Sequence, residues 1–167
     1  MVMLSVGVGA TIFHRTRGVG KVVDVETRKW EQEDTRYLVV AMVDASYTIH
    51  IPETSPEIRR VLSDGDVILD TLREQAEALP GNYKTRQAQI RDAIDSGEPK
   101  KIAAAARDIR TYSESEDGNW TTGGKRLYER ALSMLDAEVA AAKGWTIEKA
   151  RDRVRKAMAA APAPQQD

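Results

Sequence analysis

Residues 47–56 read Tyr47-Thr-Ile-His-Ile-Pro-Glu-Thr-Ser-Pro56, and the hydrophobic period changes across them. Tyr47, Ile49 and Ile51 alternate with Thr48 and His50, the spacing of a half-buried strand. Pro52 ends that run, and the PETSP stretch reads as a connector. Upstream, every apolar run has strand length. Residues 10–13 are short and apolar, residues 19–30 carry Val19, Val22, Val23 and Val25 before turning polar, and residues 37–43 read YLVVAMV. Gly18 and Gly20 punctuate the first connection, and residues 31–34 and 44–46 are polar hairpin tips. Short strands on tight connections predict a small, strongly bent sheet or barrel.

Downstream the period becomes 3.6. Ser63 with Asp64 and Asp66 marks a helix start, a capping oxygen followed by carboxylates at the positive helix end. Ile68, Leu69, Leu72, Ala76 and Leu79 share one face, so this helix is expected to run until Pro80-Gly81. Asn82 can cap a second helix with the stripe Gln87, Ile90 and Ile94, ending near Gly97. Pro99 opens a third, with Ile102, Ala105 and Ile109 inward. After a polar loop over residues 113–120, a long fourth helix is expected from about Thr122 to Lys143, with Gly144 as its stop. Its face is wide, including Leu127, Tyr128, Ala131, Leu135 and Val139. Thr146 caps a fifth helix with Ile147, Ala150, Val154 and Met158 inward. Trp120 and Trp145 each precede a Thr cap and read as hydrophobic staples. The expected architecture is α+β: a β module over residues 1–62, a bundle of about five helices over 63–160, and a disordered tail over 161–167.

Composition removes whole classes of chemistry. The chain has no Cys and two His, which excludes thiol nucleophiles, disulfides, Cys zinc sites and His-rich metal centres. Gly18-Val19-Gly20 lacks the third glycine and following helix of a dinucleotide fingerprint, and no phosphate-loop motif exists. No motif fixes a Ser or carboxylate beside His14, which reads as a surface or turn residue, and His50 points outward as a surface contact. No catalytic constellation is present, so an enzyme is not expected, nor any cofactor or metal. No segment approaches the ~20 apolar residues of a membrane span. The apolar start lacks a basic leader region and reads as mature structure, which predicts a cytoplasmic protein.

Binding is what remains. Residues 84–110 carry seven basic and four acidic residues, a net +3, whereas the whole chain is −1. Lys100, Arg107 and Arg110 fall opposite the Ile102/Ala105/Ile109 stripe on the third helix. Such a local excess fits a phosphate contact on an otherwise non-sticky protein, or an ordinary solvated helix face.

Several stretches, in order, resemble the CarD/CdnL transcription regulators. They are Val8-Gly-Ala-Thr-Ile-Phe13, Gly18-Val-Gly-Lys-Val-Val23, Val25-Glu-Thr-Arg28, Tyr37-Leu-Val-Val40 and Thr48-Ile-His-Ile-Pro52. The second half adds Leu79-Pro-Gly-Asn-Tyr83, Asp95-Ser-Gly-Glu-Pro99, Lys101-Ile-Ala, Arg107-Asp-Ile and Gly124-Lys-Arg-Leu127. The first half is also similar to the polymerase-interacting module of transcription-repair coupling factor. The resemblance implies a Tudor-like β module that binds the RNA polymerase β subunit. It also implies a helical domain that meets promoter DNA at the upstream bubble edge, without sequence specificity. There a wedge aromatic enters the minor groove and the open complex is stabilised.

Residue by residue, the resemblance puts Arg28 at the polymerase contact, with Glu26 beside it and His50 where the family usually has a basic residue in the last strand. Trp30 is either core or an addition to that surface. The family's wedge Trp is matched by Tyr83, with Lys84, Arg86, Arg91, Lys100 and Lys101 as the DNA-side cations. Tyr83 also falls on the Gln87/Ile90/Ile94 stripe, where it would be core. The expected protein is a monomeric initiation regulator, nucleoid-associated through polymerase. The alternative is an adaptor that binds polymerase but docks its helical domain on another protein.

Overall fold

In a computed structural model, which describes residues 4–165, the chain forms an antiparallel sheet followed by five helices. The start of the chain and the end of the tail thus lie partly outside the described residues, at 1–3 and 166–167. Two compact units divide it, Met1–Val61 and Leu62–Asp167.

The first unit is a five-stranded open sheet in the order β4-β3-β2-β1-β5. Its strands are β1 (Thr11–His14), β2 (Gly18–Trp30), β3 (Glu33–Met42), β4 (Thr48–Pro52) and β5 (Ile58–Arg60). The strand-length apolar runs mark four of these; β5 lies just past the PETSP connector, where no strand is expected. Three residues pair with β1 there, and only Ile58 among them is apolar. Ile12, Val22, Leu38, Val40, Met42 and Ile51 form the core face, with Val6 and Ile58. Gly18 takes φ +85, a left-handed turn conformation that glycine adopts without strain. A Cβ at Gly20 would collide with Cγ1 of Val40, so glycine lets the two strands close on each other.

A β-bulge between Val22 and Asp24 decides which residues face outward. Val22 opposes Val40 and Asp24 opposes Val39, so Val23 is the extra residue and stands exposed. Without it, the even-numbered residues Asp24, Glu26 and Arg28 would follow Val22 onto the core face. With it, Val25 packs against the core and Glu26, Arg28 and Trp30 turn outward.

The second unit contains α1 (Asp66–Arg73), α2 (Tyr83–Asp95), α3 (Pro99–Glu114), α4 (Thr122–Lys143) and α5 (Ile147–Ala159). The starts of α2 to α5 are those the sequence predicts, whereas α1 begins after Gly65 with no side-chain cap, so the Ser63 oxygen does not cap it. Asn82 accepts from the Thr85 N–H, Thr121 from Gly124 and Thr146 from Lys149, while Pro99 begins α3 and Gly144 closes α4 at φ +63. Trp120 packs on Tyr128 with the rings tilted, 4.9 Å between centroids, and Trp145 lies under the Lys149 ammonium at 4.5 Å. Ile68, Leu72, Ile90, Ile94, Ile102, Leu135 and Val154 are buried in this unit.

Two expectations fail here. The first helix stops at Arg73 rather than at Pro80. Arg107, expected on the outer face of α3, is 3% exposed and donates to the Thr71 carbonyl near the end of α1. Its neighbour Asp108, also buried, pairs with it at 2.8 Å and accepts from the Glu77 N–H. These long-range bonds take backbone groups that a continuing helix would have used, and residues 75–80 form no regular structure. Of the tail expected to be disordered, residues 161–165 lie along this segment: the Ala76 N–H donates to Pro162 and the Gln75 amide to Ala163.

Candidate functional site

The outer face of β2–β4 carries a cluster assembled by register. Glu26 opposes Tyr37 and Arg28 opposes Thr35 across β2–β3, while His50 opposes Val39 across β3–β4. Arg28 crosses the Tyr37 ring at 5.3 Å from its centroid. Its guanidinium donates to Glu26 Oε2 at 2.6 Å and meets His50 Nδ1 at 2.8 Å, and Glu26 Oε2 lies 3.6 Å from the same ring nitrogen. All three side chains are partly exposed, between 37% and 50%. Pairs in this range add at most about 1 kcal/mol to stability, so the cluster contributes little to holding the sheet together. It presents a pre-set guanidinium and carboxylate to solvent. Trp30, on the same face at the strand end, is 69% exposed and therefore not core. Tyr37 completes the group; the continuous YLVVAMV run does not mark it as a neighbour of Arg28.

His14 is different. It is buried, and its Nδ1 accepts the backbone N–H groups of Thr16 and Arg17 at 3.2 Å each, so it holds the β1–β2 turn. Burial pushes its pKa below the ordinary histidine value, against the pull of Glu57.

In the helical unit, α2 and the first turns of α4 enclose a cleft of about 410 Å3. Tyr83, the first residue of α2, is 47% exposed at its mouth. Its hydroxyl sits so close to Gly123 that a Cβ there would lie 2.9 Å away. Lys84 and Arg91 line the α2 wall and Arg126 the α4 wall. None of these three cations has a carboxylate partner within 4.0 Å among the described residues. Arg126 was missed as a site residue, although it lies inside the basic Gly124-Lys-Arg-Leu127 stretch.

The other sequence-assigned cations go elsewhere. Arg86 is 7% exposed and donates to the carbonyls of Pro80 and Gly81 at 2.8 and 3.0 Å. Its guanidinium lies 4.2 Å from the Tyr112 ring centroid and 5.8 Å from that of Tyr83. It therefore braces the loop and the base of Tyr83 and has no free face for a phosphate. Lys100 and Lys101 are exposed at the start of α3, next to the C-terminal end of α2, with Lys101 paired to Glu98. Tyr83 stands at the opposite end of that helix, about 18 Å away at ~1.5 Å per residue. Arg110, half-buried, pairs with Glu114. No group of three or more potential metal-binding side chains occurs among the described residues, and no helix there is long and apolar enough to cross a membrane.

The stretch that builds this cleft also matches a known family: residues 67–155 fit the family model described as the CarD C-terminal domain. This chain belongs to the CarD family. CarD proteins are RNA polymerase-binding transcription regulators and not enzymes. The CarD match runs from α1 to near the end of α5, so it contains Tyr83, Lys84, Arg91 and Arg126 together with the buried Arg86 and Arg107. The outer-face cluster lies in the part of this CarD-family chain that precedes the matched residues.

Proposed function

We propose that this CarD-family protein binds the RNA polymerase β subunit through Arg28, Glu26, His50 and Trp30, with Tyr37 beneath Arg28. We further propose that it stabilises the promoter open complex through the α2–α4 cleft. The observation that carries the DNA half is the meeting of a half-exposed aromatic with three unpaired cations on two helices. An aromatic at a groove edge can wedge against an unstacked step while cations hold the flanking phosphates. Two modest contacts on one chain reinforce each other through effective concentration.

The reading as an adaptor that never touches DNA draws on the overall charge of −1 and on the burial of Arg86 and Arg107. Open-complex lifetime on a defined promoter, with and without the protein, separates the two. Stabilisation lost in Tyr83 and Arg126 variants that still bind β supports the cleft. Stabilisation unchanged in both supports the adaptor.

A further inference from the structure

The cleft contains a polar group that the fold leaves unused. Gln87, on α2 one turn beyond Tyr83, is 8% exposed and lines the cleft. Its amide has no hydrogen-bond partner among the described residues. No fully buried side-chain polar atom is left without a partner either, so the amide opens onto the cleft rather than into the core. It lies over the glycines that begin α4: a Cβ on Gly123 would come 3.3 Å from Oε1, and one on Gly124 3.7 Å from Nε2. Two glycines thus make room for an amide that bonds to neither. An amide fixed on the cleft wall and left unbonded by the protein is free to meet the edge of a ligand there.

We propose that the α2–α4 cleft takes a single unstacked nucleobase, which stacks on Tyr83 while the Gln87 amide hydrogen-bonds its edge. The proposal rests on the DNA reading above and names what that cleft receives. The cleft volume lies in the range of about 300–1,000 Å3 typical of small-ligand pockets. Tyr83 offers an aromatic face at the mouth, and Lys84, Arg91 and Arg126 ring the opening where phosphates on either side of an extruded base would pass. An amide presents one acceptor and one donor side by side, the bidentate complement of the adenine N6/N7 edge. Contacts to the duplex stay sequence-independent, while one base at the opening is read.

The test uses the full chain and duplexes carrying one extrahelical nucleotide: adenine, cytosine, guanine, thymine or an abasic sugar. Binding is followed by fluorescence anisotropy over a salt series. Base-bearing bulges are expected to bind about tenfold more tightly than the abasic one, with adenine best. Gln87→Leu should erase the adenine preference and leave the salt slope unchanged. Gln87→Glu, an acceptor only, should move the preference toward cytosine, and it carries the test if the Leu variant does not fold. Equal binding of abasic and base-bearing bulges, with a normal salt slope, overturns the nucleobase pocket and leaves the DNA reading standing. Binding to no duplex in a salt-dependent way overturns the DNA reading itself, and this proposal with it.

Discussion

Arg28 holds its place through Glu26, His50 and the Tyr37 ring, all at the surface. Reversing its charge alters the proposed recognition group without touching the core. Arg28→Glu is therefore expected to abolish binding to isolated β subunit while shifting stability by about 1 kcal/mol or less. Undiminished β binding by the folded variant removes Arg28 from the interface. Tyr83 is half-exposed, so Tyr83→Ala should cost about 1 kcal/mol at most, well short of the ~3–5 kcal/mol of a buried aromatic. The same change should shorten the open-complex lifetime, and Tyr83→Trp should lengthen it through the larger ring; thermal melts paired with complex decay on one promoter check both. His14 bears on pH. Its folded pKa lies below 6.5, so the unfolded chain binds more protons in the acidic range and stability falls as pH drops below about 6.5. The loss levels off once pH passes below the folded value. His14→Asn, which keeps an acceptor but does not titrate there, should flatten the melting temperature between pH 7 and pH 5.

At the scale of elements, two departures from simple periodicity shape the surfaces proposed as functional. The bulge at Val23 turns Glu26, Arg28 and Trp30 to the outside. A trace was visible in the sequence: Val22 and Val25, both on the core side, are an odd number of residues apart and break a strict period of two. The early end of α1 had no such trace. Ala76 and Leu79 fit the helical face, and it is bonds from distant residues, the buried Arg107–Asp108 pair above all, that take the chain out of the helix. Asp108→Ala leaves the Arg107 charge with Glu74, 3.7 Å away and exposed, as its carboxylate partner. It also strips the Glu77 N–H of its acceptor. It should destabilise the protein by about 3–5 kcal/mol, measured by denaturant unfolding. A loss under about 1 kcal/mol would mean that the pair does not anchor the segment before α2.

For the whole molecule, charge bears on the proposed DNA contact. With a net charge of −1, the proposed reading requires the attraction to be local to the cleft rather than general. If Lys84, Arg91 and Arg126 each neutralise one phosphate, log K against log[salt] should fall with a slope near −2.7, from ~0.9 per phosphate. Arg126→Ala should reduce that slope by about 0.9, and a flat salt response from the unaltered protein would count against the cleft touching DNA. The sequence by itself determined the α+β class, four of the five strands, the starts of α2 to α5 and the residues Glu26, Arg28, His50 and Trp30 of the outer-face cluster. Periodicity, capping and turn chemistry are set by neighbours within a few positions, so they can be read along the chain. Only the tertiary structure decided that Trp30 is outside the core and Arg86 within its unit. The same is true of the early end of α1 and of the meeting of Arg126 with Tyr83 and Gln87. Each depends on groups brought together from distant parts of the chain, where a cation's environment follows from what packs against it rather than from its place on a helical wheel.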